Sequence, residues 1–314
     1  MCRTWRGWWG ELRGCGRCAA VLYHVPMHIE PAHGMGARVL RLFSRAPWPA
    51  LQLLAALALG ATSAAAQPAP SVYLDDLTTT EVSAALRAGS TTVIVPVGGT
   101  EQSGPHMALG KHNVRATVLA GRIARQLGDA LVAPTVNYVP EGRVQPPEAH
   151  MRFAGTISIP DDVFTGLLRG AAQSLRQHGF RHIVLVGDHG GYQNLLQATA
   201  TRLNREWAGP PARVHYIAAY YRTASTGFAQ QLRAKGLSEA QIGEHAGAAD
   251  TSLSLAVEPR LVRADRLDES ARAGPAAGTR GDPRAASAAL GQLGVEAIVA
   301  DTVTAIKAAR AAAP

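Results

Sequence analysis

Two short apolar runs, each ending in a polar, glycine-bearing turn, constrain this chain most. Residues 91–97 read TTVIVPV and lead into Gly98-Gly99-Thr100-Glu101. Residues 182–186 read HIVLV and lead into Gly187-Asp188-His189-Gly190-Gly191. β-Branched runs of this length, bounded by glycine, suit strands buried on both faces. Further strands are expected at 131–136, 156–159 and 214–220. Helical spacing marks 79–87, with Thr80 as N-cap candidate, then 113–127, 161–177 and 193–207. A helix start follows at 238–243 and an apolar element at 251–257. Residues 263–284 read as loop, and 285–312 as an Ala-rich helix. This alternation predicts an α/β fold, a three-layer α/β/α sandwich with a mostly parallel central sheet. In such sheets ligands bind beyond the carboxyl ends of the strands, where both polar turns fall. The irregular stretch 137–155, with Pro140, Pro146 and Pro147, is long enough to suggest a functional loop.

Composition limits the functional classes. With 47% apolar and 17% charged residues the chain is globular rather than disordered. Its formal charge of +8 comes from 31 basic and 23 acidic residues. Seven of the arginines and two of the acids precede residue 67, so the remaining 24 basic and 21 acidic residues carry only +3. That balance, with Trp207 the only tryptophan after residue 66, argues against a nucleic-acid partner. Cys2, Cys15 and Cys18 also lie in the leader, which excludes a disulfide framework or a thiol nucleophile beyond it.

The leader itself reads as a processing segment. Arg38, Arg41 and Arg45 precede an apolar run at 51–59, and Ala64-Ala65-Ala66 stands before Gln67. This is the pattern of a secretory signal over 35–66, with export to a periplasm or the outside. The apolar run is short for a bilayer span, so no stable membrane insertion is expected once the signal is removed. Residues 1–34 lack any periodicity and read as upstream sequence, with Met35 as the start. The mature domain would then be 67–314.

Three segments concentrate groups that can do chemistry. The first holds Glu101, Ser103, His106 and His112; the second Asp188 and His189; the third Glu244, His245 and Asp250. Carboxylates with imidazoles suit zinc, manganese and similar divalent ions. A lone His at a strand end is more often structural, and Asp188 would also brace a turn. Ser103 lies in Glu-Gln-Ser-Gly-Pro, which is not the Gly-x-Ser-x-Gly of a serine hydrolase. From spacing alone, a metal site and scattered structural residues both remain open.

The ordered stretches PVGGTEQSGPHMALGKHN, EAHMRFAGTISIP, IVLVGDHGGYQN, EHAGAADTS and GDPRAASAALG resemble the creatininase (creatinine amidohydrolase) family over roughly residues 91–306. The resemblance implies a creatininase-like α/β hydrolase with a binuclear divalent-metal site, and so one or two ions, acting on non-peptide C–N bonds of small-molecule amides. It also implies a homo-oligomer, such as a hexamer. Glu101 and His189 would match metal ligands, and Glu244 with His245 a pair that assists proton transfer. Three positions depart from the pattern. Ser103 replaces a ligand His, His112 a bridging Asp, and Gly191 a Glu. A neutral imidazole does not ordinarily bridge two metals. The expectation is therefore one ion, zinc or manganese, on Glu101, His112 and His189, completed by Asp250 or Asp188. His106 would position substrate or add a ligand, and His245 or Glu244 would protonate the leaving nitrogen. The competing reading is an exported small-molecule-binding protein, or an inactive relative with the same pocket.

Overall fold

The computed structural model describes residues 71–209 and 211–312. The expected upstream segment and secretory signal lie outside the described residues. Four strands, β1 (Thr92–Val97), β2 (Ala130–Val132), β3 (His182–Gly187) and β4 (Arg213–Tyr216), form one sheet in the order β2-β1-β3-β4. All three pairings are parallel. In β1, Val93, Val95 and Val97 face one side and Ile94 the other. Strands that bury both faces need cover on both, and helices supply it.

One layer contains α1 (Thr79–Arg87), α3 (Asp161–Gln177) and α4 (Gln193–Glu206). Phe164, Leu168, Leu196 and Leu203 pack from it against the sheet. The opposite layer contains α2 (Lys111–Leu127), α5 (Ala218–Arg222), α6 (Phe228–Ala234), α7 (Glu239–Ile242), α8 (Ala248–Val257) and α10 (Ala288–Ala311), while α9 (Leu267–Ala273) sets Leu267 in a separate small cluster with Met107, Ala246 and Val262. The core of the opposite layer includes Leu119, Ile123, Phe228, Leu253, Ile298 and Ile306. Each such buried side chain contributes about 1.5–3 kcal/mol. Helix α10 is long and apolar enough to cross a membrane by length and composition. Here its buried face lies on α8, so closely that a Cβ at Gly291 would sit 1.8 Å from the Ser252 carbonyl oxygen.

Several element boundaries differ from expectation, and the differences shape the site. The N-cap of α1 is Thr78, not Thr80, because Thr78 and Glu81 close a reciprocal capping box. Helix α2 starts at Lys111, two residues early, so Lys111 and His112 join its first turn. Residues 156–159 form no strand; Ile157 makes only an isolated bridge to Thr100. The strand expected at 131–136 is Ala130–Val132, and the one at 214–220 is Arg213–Tyr216, since α5 begins at Ala218. Residues 263–284 contain α9 rather than loop alone. The chain crosses from β2 over β1 to β3, so β1 and β3 flank the point where strand order reverses. Their carboxyl ends are where a ligand crevice is expected.

Candidate active site

Glu101, four residues past β1, is the centre of this crevice and is fully buried. Its Oε1 accepts from His112 Nε2 at 2.7 Å and lies 3.3 Å from the Lys111 ammonium. Its Oε2 lies 3.1 Å from His150 Nε2 and 3.5 Å from His189 Nε2, without hydrogen-bond geometry to any group. Burial pushes the Glu101 carboxyl up, but Lys111 and His112 outweigh it and hold it well below the usual range. His189 leaves β3 through Asp188, and its Nδ1 is 3.3 Å from Glu141 Oε2. Glu141 is also buried, and neither of its carboxylate oxygens has a hydrogen-bond partner. Burial, reinforced by the Glu101 charge, pushes Glu141 up to about 9. Burial likewise drives His189 down to about 3 and lowers His150. Both rings are thus neutral, the form that binds metals.

Glu101, Glu141, His150 and His189 each offer one ligand atom, all within 4.8 Å of one another. Buried polar atoms without partners are rare and call for an explanation. Three orphaned carboxylate oxygens facing two neutral imidazoles fit a divalent cation. The set joins β1, β3 and the irregular 137–155 stretch, whose only helical turn is the 3-10 segment Ala149–Arg152.

The other expected site residues are placed differently. His112 spends both ring nitrogens on carboxylates, the second on Asp188 Oδ2 at 2.6 Å. Asp188 also accepts from Arg115 and from the Tyr220 hydroxyl. Asp250, in the first turn of α8, accepts from Lys111, Arg115 and the Ala246 backbone N–H. Burial pushes the Asp250 carboxyl up, but Lys111 and Arg115 reverse this and hold it well below the usual range. His106 is buried against Thr251, with Nε2 2.9 Å from Oγ1, and does not line the cavity. Burial drives its imidazole down to about 4. Glu244 stands at the rim, its side chain 83% exposed and 3.7 Å from Arg280. His245 reaches inward, and its Nδ1 lies 3.8 Å from Glu101 Oε1.

These groups open into a cavity of about 870 Å³ whose walls include Gln102, Arg152, Phe153, Tyr221, His245 and Arg280. Tyr192 and Tyr220, close by, are core residues, both fully buried. Sequence reasoning gave no role to Glu141, Lys111, Arg115 or Gln102, and quoted His150 only within a motif. The length of the 137–155 loop was the available signal for Glu141.

An acid–imidazole cluster at the reversal point of a parallel sheet, open to a cavity, defines a metal-assisted hydrolase type of site. Comparison with known proteins narrows the class. Residues 75–306 match the family model "Creatininase: Creatinine amidohydrolase". The chain is 30% identical over 256 residues to the creatinine amidohydrolase of Pseudomonas putida, covering 76% of this chain and 96% of that protein. It is 29% identical over 246 residues to a mycofactocin precursor peptide peptidase of Mycobacterium tuberculosis, covering 70% and 86%. A solved manganese creatininase matches with a TM-score of 0.63 at 29% identity, covering 76% of this chain and 98% of that one. The chain belongs to the creatininase family of amidohydrolases.

Proposed function

We propose that this protein is an exported hydrolase of a small-molecule amide that depends on one divalent ion, zinc or manganese. The observation that carries this reading is the set of orphaned oxygens on Glu101 and Glu141 facing neutral His150 and His189. Glu101, Glu141 and His189, with His150 beside them, would hold the ion. His112, Asp188 and Asp250 have spent their acceptors and donors on one another, on Arg115 and on Lys111, which favours a bracing role for them. When bound, such an ion polarises a carbonyl and brings the pKa of water toward neutrality.

The chain's own residues do the rest. The leaving nitrogen of an amide must be protonated to depart. His245 faces the cavity and is driven down to about 4 by burial and by Lys111, so it rests neutral and would take the proton released by the attacking water before giving it to the leaving nitrogen. Glu244 is too exposed to share that role from its present position. Arg152, Phe153 and Tyr221 shape the cavity around the substrate. Its volume suits a small molecule or a short peptide end. Resemblance to the family supports a homo-oligomer, and the leader pattern supports a periplasmic or secreted location.

Elemental analysis of the 67–314 protein, with turnover of cyclic amides, linear amides and short peptides, tests the reading. About one equivalent of ion is expected, with activity lost to a chelator and restored by zinc or manganese. No ion after reconstitution would overturn the reading and favour a binding protein. Light scattering and N-terminal sequencing of the exported protein check assembly and cleavage after Ala66.

A further inference from the structure

Gln102, beside Glu101, touches both cavity histidines: its amide nitrogen lies 3.2 Å from His150 Nδ1 and 3.3 Å from His245 Nε2. Its backbone carbonyl lies 2.9 Å from His245 Nε2. A carbonyl only accepts, and this contact is shorter than the one from the amide nitrogen, so His245 Nε2 carries the hydrogen. Neutral His245 then has its lone pair on Nδ1, the atom turned toward Glu101 Oε1. The Gln102 side chain is oriented just as firmly. Its Oε1 accepts from the Gly104 backbone N–H at 3.1 Å, and a backbone N–H only donates. The amide nitrogen therefore faces His150 Nδ1, at 3.2 Å. That nitrogen only donates, so Nδ1 holds the lone pair and Nε2 the hydrogen, 3.1 Å from Glu101 Oε2. The amide has no room to turn away. Gly278 packs on it at φ +83°, and a Cβ there would be 1.8 Å from Oε1.

Both rings thus hold the same tautomer but are turned opposite ways, with centroids 4.7 Å apart. We propose that Gln102 is a positioning residue that sets the hydrogen of His150 on Nε2, beside Glu101 Oε2, and leaves the lone pair of His245 on Nδ1. Resting on the metal-hydrolase reading above, the consequence is that His150 turns an N–H rather than a lone pair toward Glu101 Oε2 and does not ligate through Nε2. Glu101, Glu141 and His189 would then be the groups that hold the ion. His245 presents the free lone pair to the substrate.

The test is two-bond ¹H–¹⁵N correlation of the imidazoles, recorded on the protein as purified and after zinc addition. His150→Gln and His245→Gln supply the assignments. Both rings are expected with hydrogen on Nε2 in the unsubstituted protein; hydrogen on His150 Nδ1 in either state would overturn the proposal. Gln102→Glu replaces the amide donor with a carboxylate acceptor. It should draw a hydrogen to His150 Nδ1 while His245, held by the main chain, stays as it was. Loss of general structure would disturb both rings alike. Gln102→Leu, which introduces no charge, should leave His150 a mixture of tautomers, and an unchanged His150 in both variants would also overturn the proposal. His150→Gln should retain about one equivalent of zinc while His189→Gln loses it; equal loss would make His150 a ligand and sink the assignment. Absence of any hydrolysis would count against the function proposed above, not against the ring states.

Discussion

Two groups of buried charge lie side by side at the carboxyl edge of the sheet, and they are built differently. In the first, Asp188, Asp250, Arg115, His112 and Lys111 share hydrogen bonds or ion pairs of 2.6 to 3.2 Å, and every oxygen of both aspartates has a partner. In the second, Glu101 Oε2 and both oxygens of Glu141 have none. Burying a charge is costly unless partners compensate it. The first group has compensated itself and holds α2, β3 and α8 in register. In the second, Lys111 and His112 compensate Glu101 while burial pushes Glu141 toward its neutral form, and the partnerless oxygens remain open to a partner from outside. The contrast separates scaffold from site among residues of the same chemical type.

Substitution should break the two groups in different ways. Glu101→Gln removes the one carboxylate that touches both, and has the largest expected effect. Turnover should fall about a thousandfold, some 4 kcal/mol of transition-state stabilisation, with loss of bound ion. Steady-state kinetics beside elemental analysis measure both. Arg115→Met should act on the scaffold alone. It strands Asp188 and Asp250 and should cost about 3–5 kcal/mol of stability in urea unfolding, well above any direct effect on chemistry. His112→Ala sharpens the comparison most. If His112 is scaffold, the ion stays, bound about 10–100-fold more weakly because Glu101 loses its brace. Complete loss of the ion under saturating zinc would move His112 into the site.

The fold was legible because strand patterning and helix spacing agree with each other. The apolar runs at 91–97 and 182–186 needed no tertiary information to be read as buried strands. The short β2 was overextended, since Val136 is apolar and buried but joins Val97 by a single bridge. The position of the site was legible too, as Glu101 and His189 follow the two central strands. The division of labour was not. Whether a histidine ligates or braces depends on which atoms face its two nitrogens, and spacing carries no such information for His112 or His106. Glu141 and His150 arrive from a loop without periodicity, so only the folded backbone brings them beside Glu101.

The opposite end of β3 offers the mildest contrast. His182 opens that strand and His215 lies beside it on β4, with Nδ1 and Nε2 3.1 Å apart. One ring must donate and the other accept, so the contact favours neutral imidazoles. Burial, aided by His182, drives His215 down to about 4, and burial with Arg310 lowers His182. In the unfolded chain both return toward 6.5. Between these values the unfolded state binds protons that the folded state refuses, so stability falls as the pH falls. For His215 the full linkage would be about 3 kcal/mol. Partial exposure to solvent reduces this to about 1–2 kcal/mol. The contribution is complete above pH 6.5, is lost on the way to about 4, and is flat below. His215→Leu removes it, whereas buried histidines at the active site keep theirs. Urea unfolding at pH 7 and pH 4.5 should therefore show a smaller acid loss in His215→Leu than in the unsubstituted protein. Equal losses would mean that the pair is charged in the folded state, and that only the carboxyl end of the sheet disfavours protonation of its imidazoles.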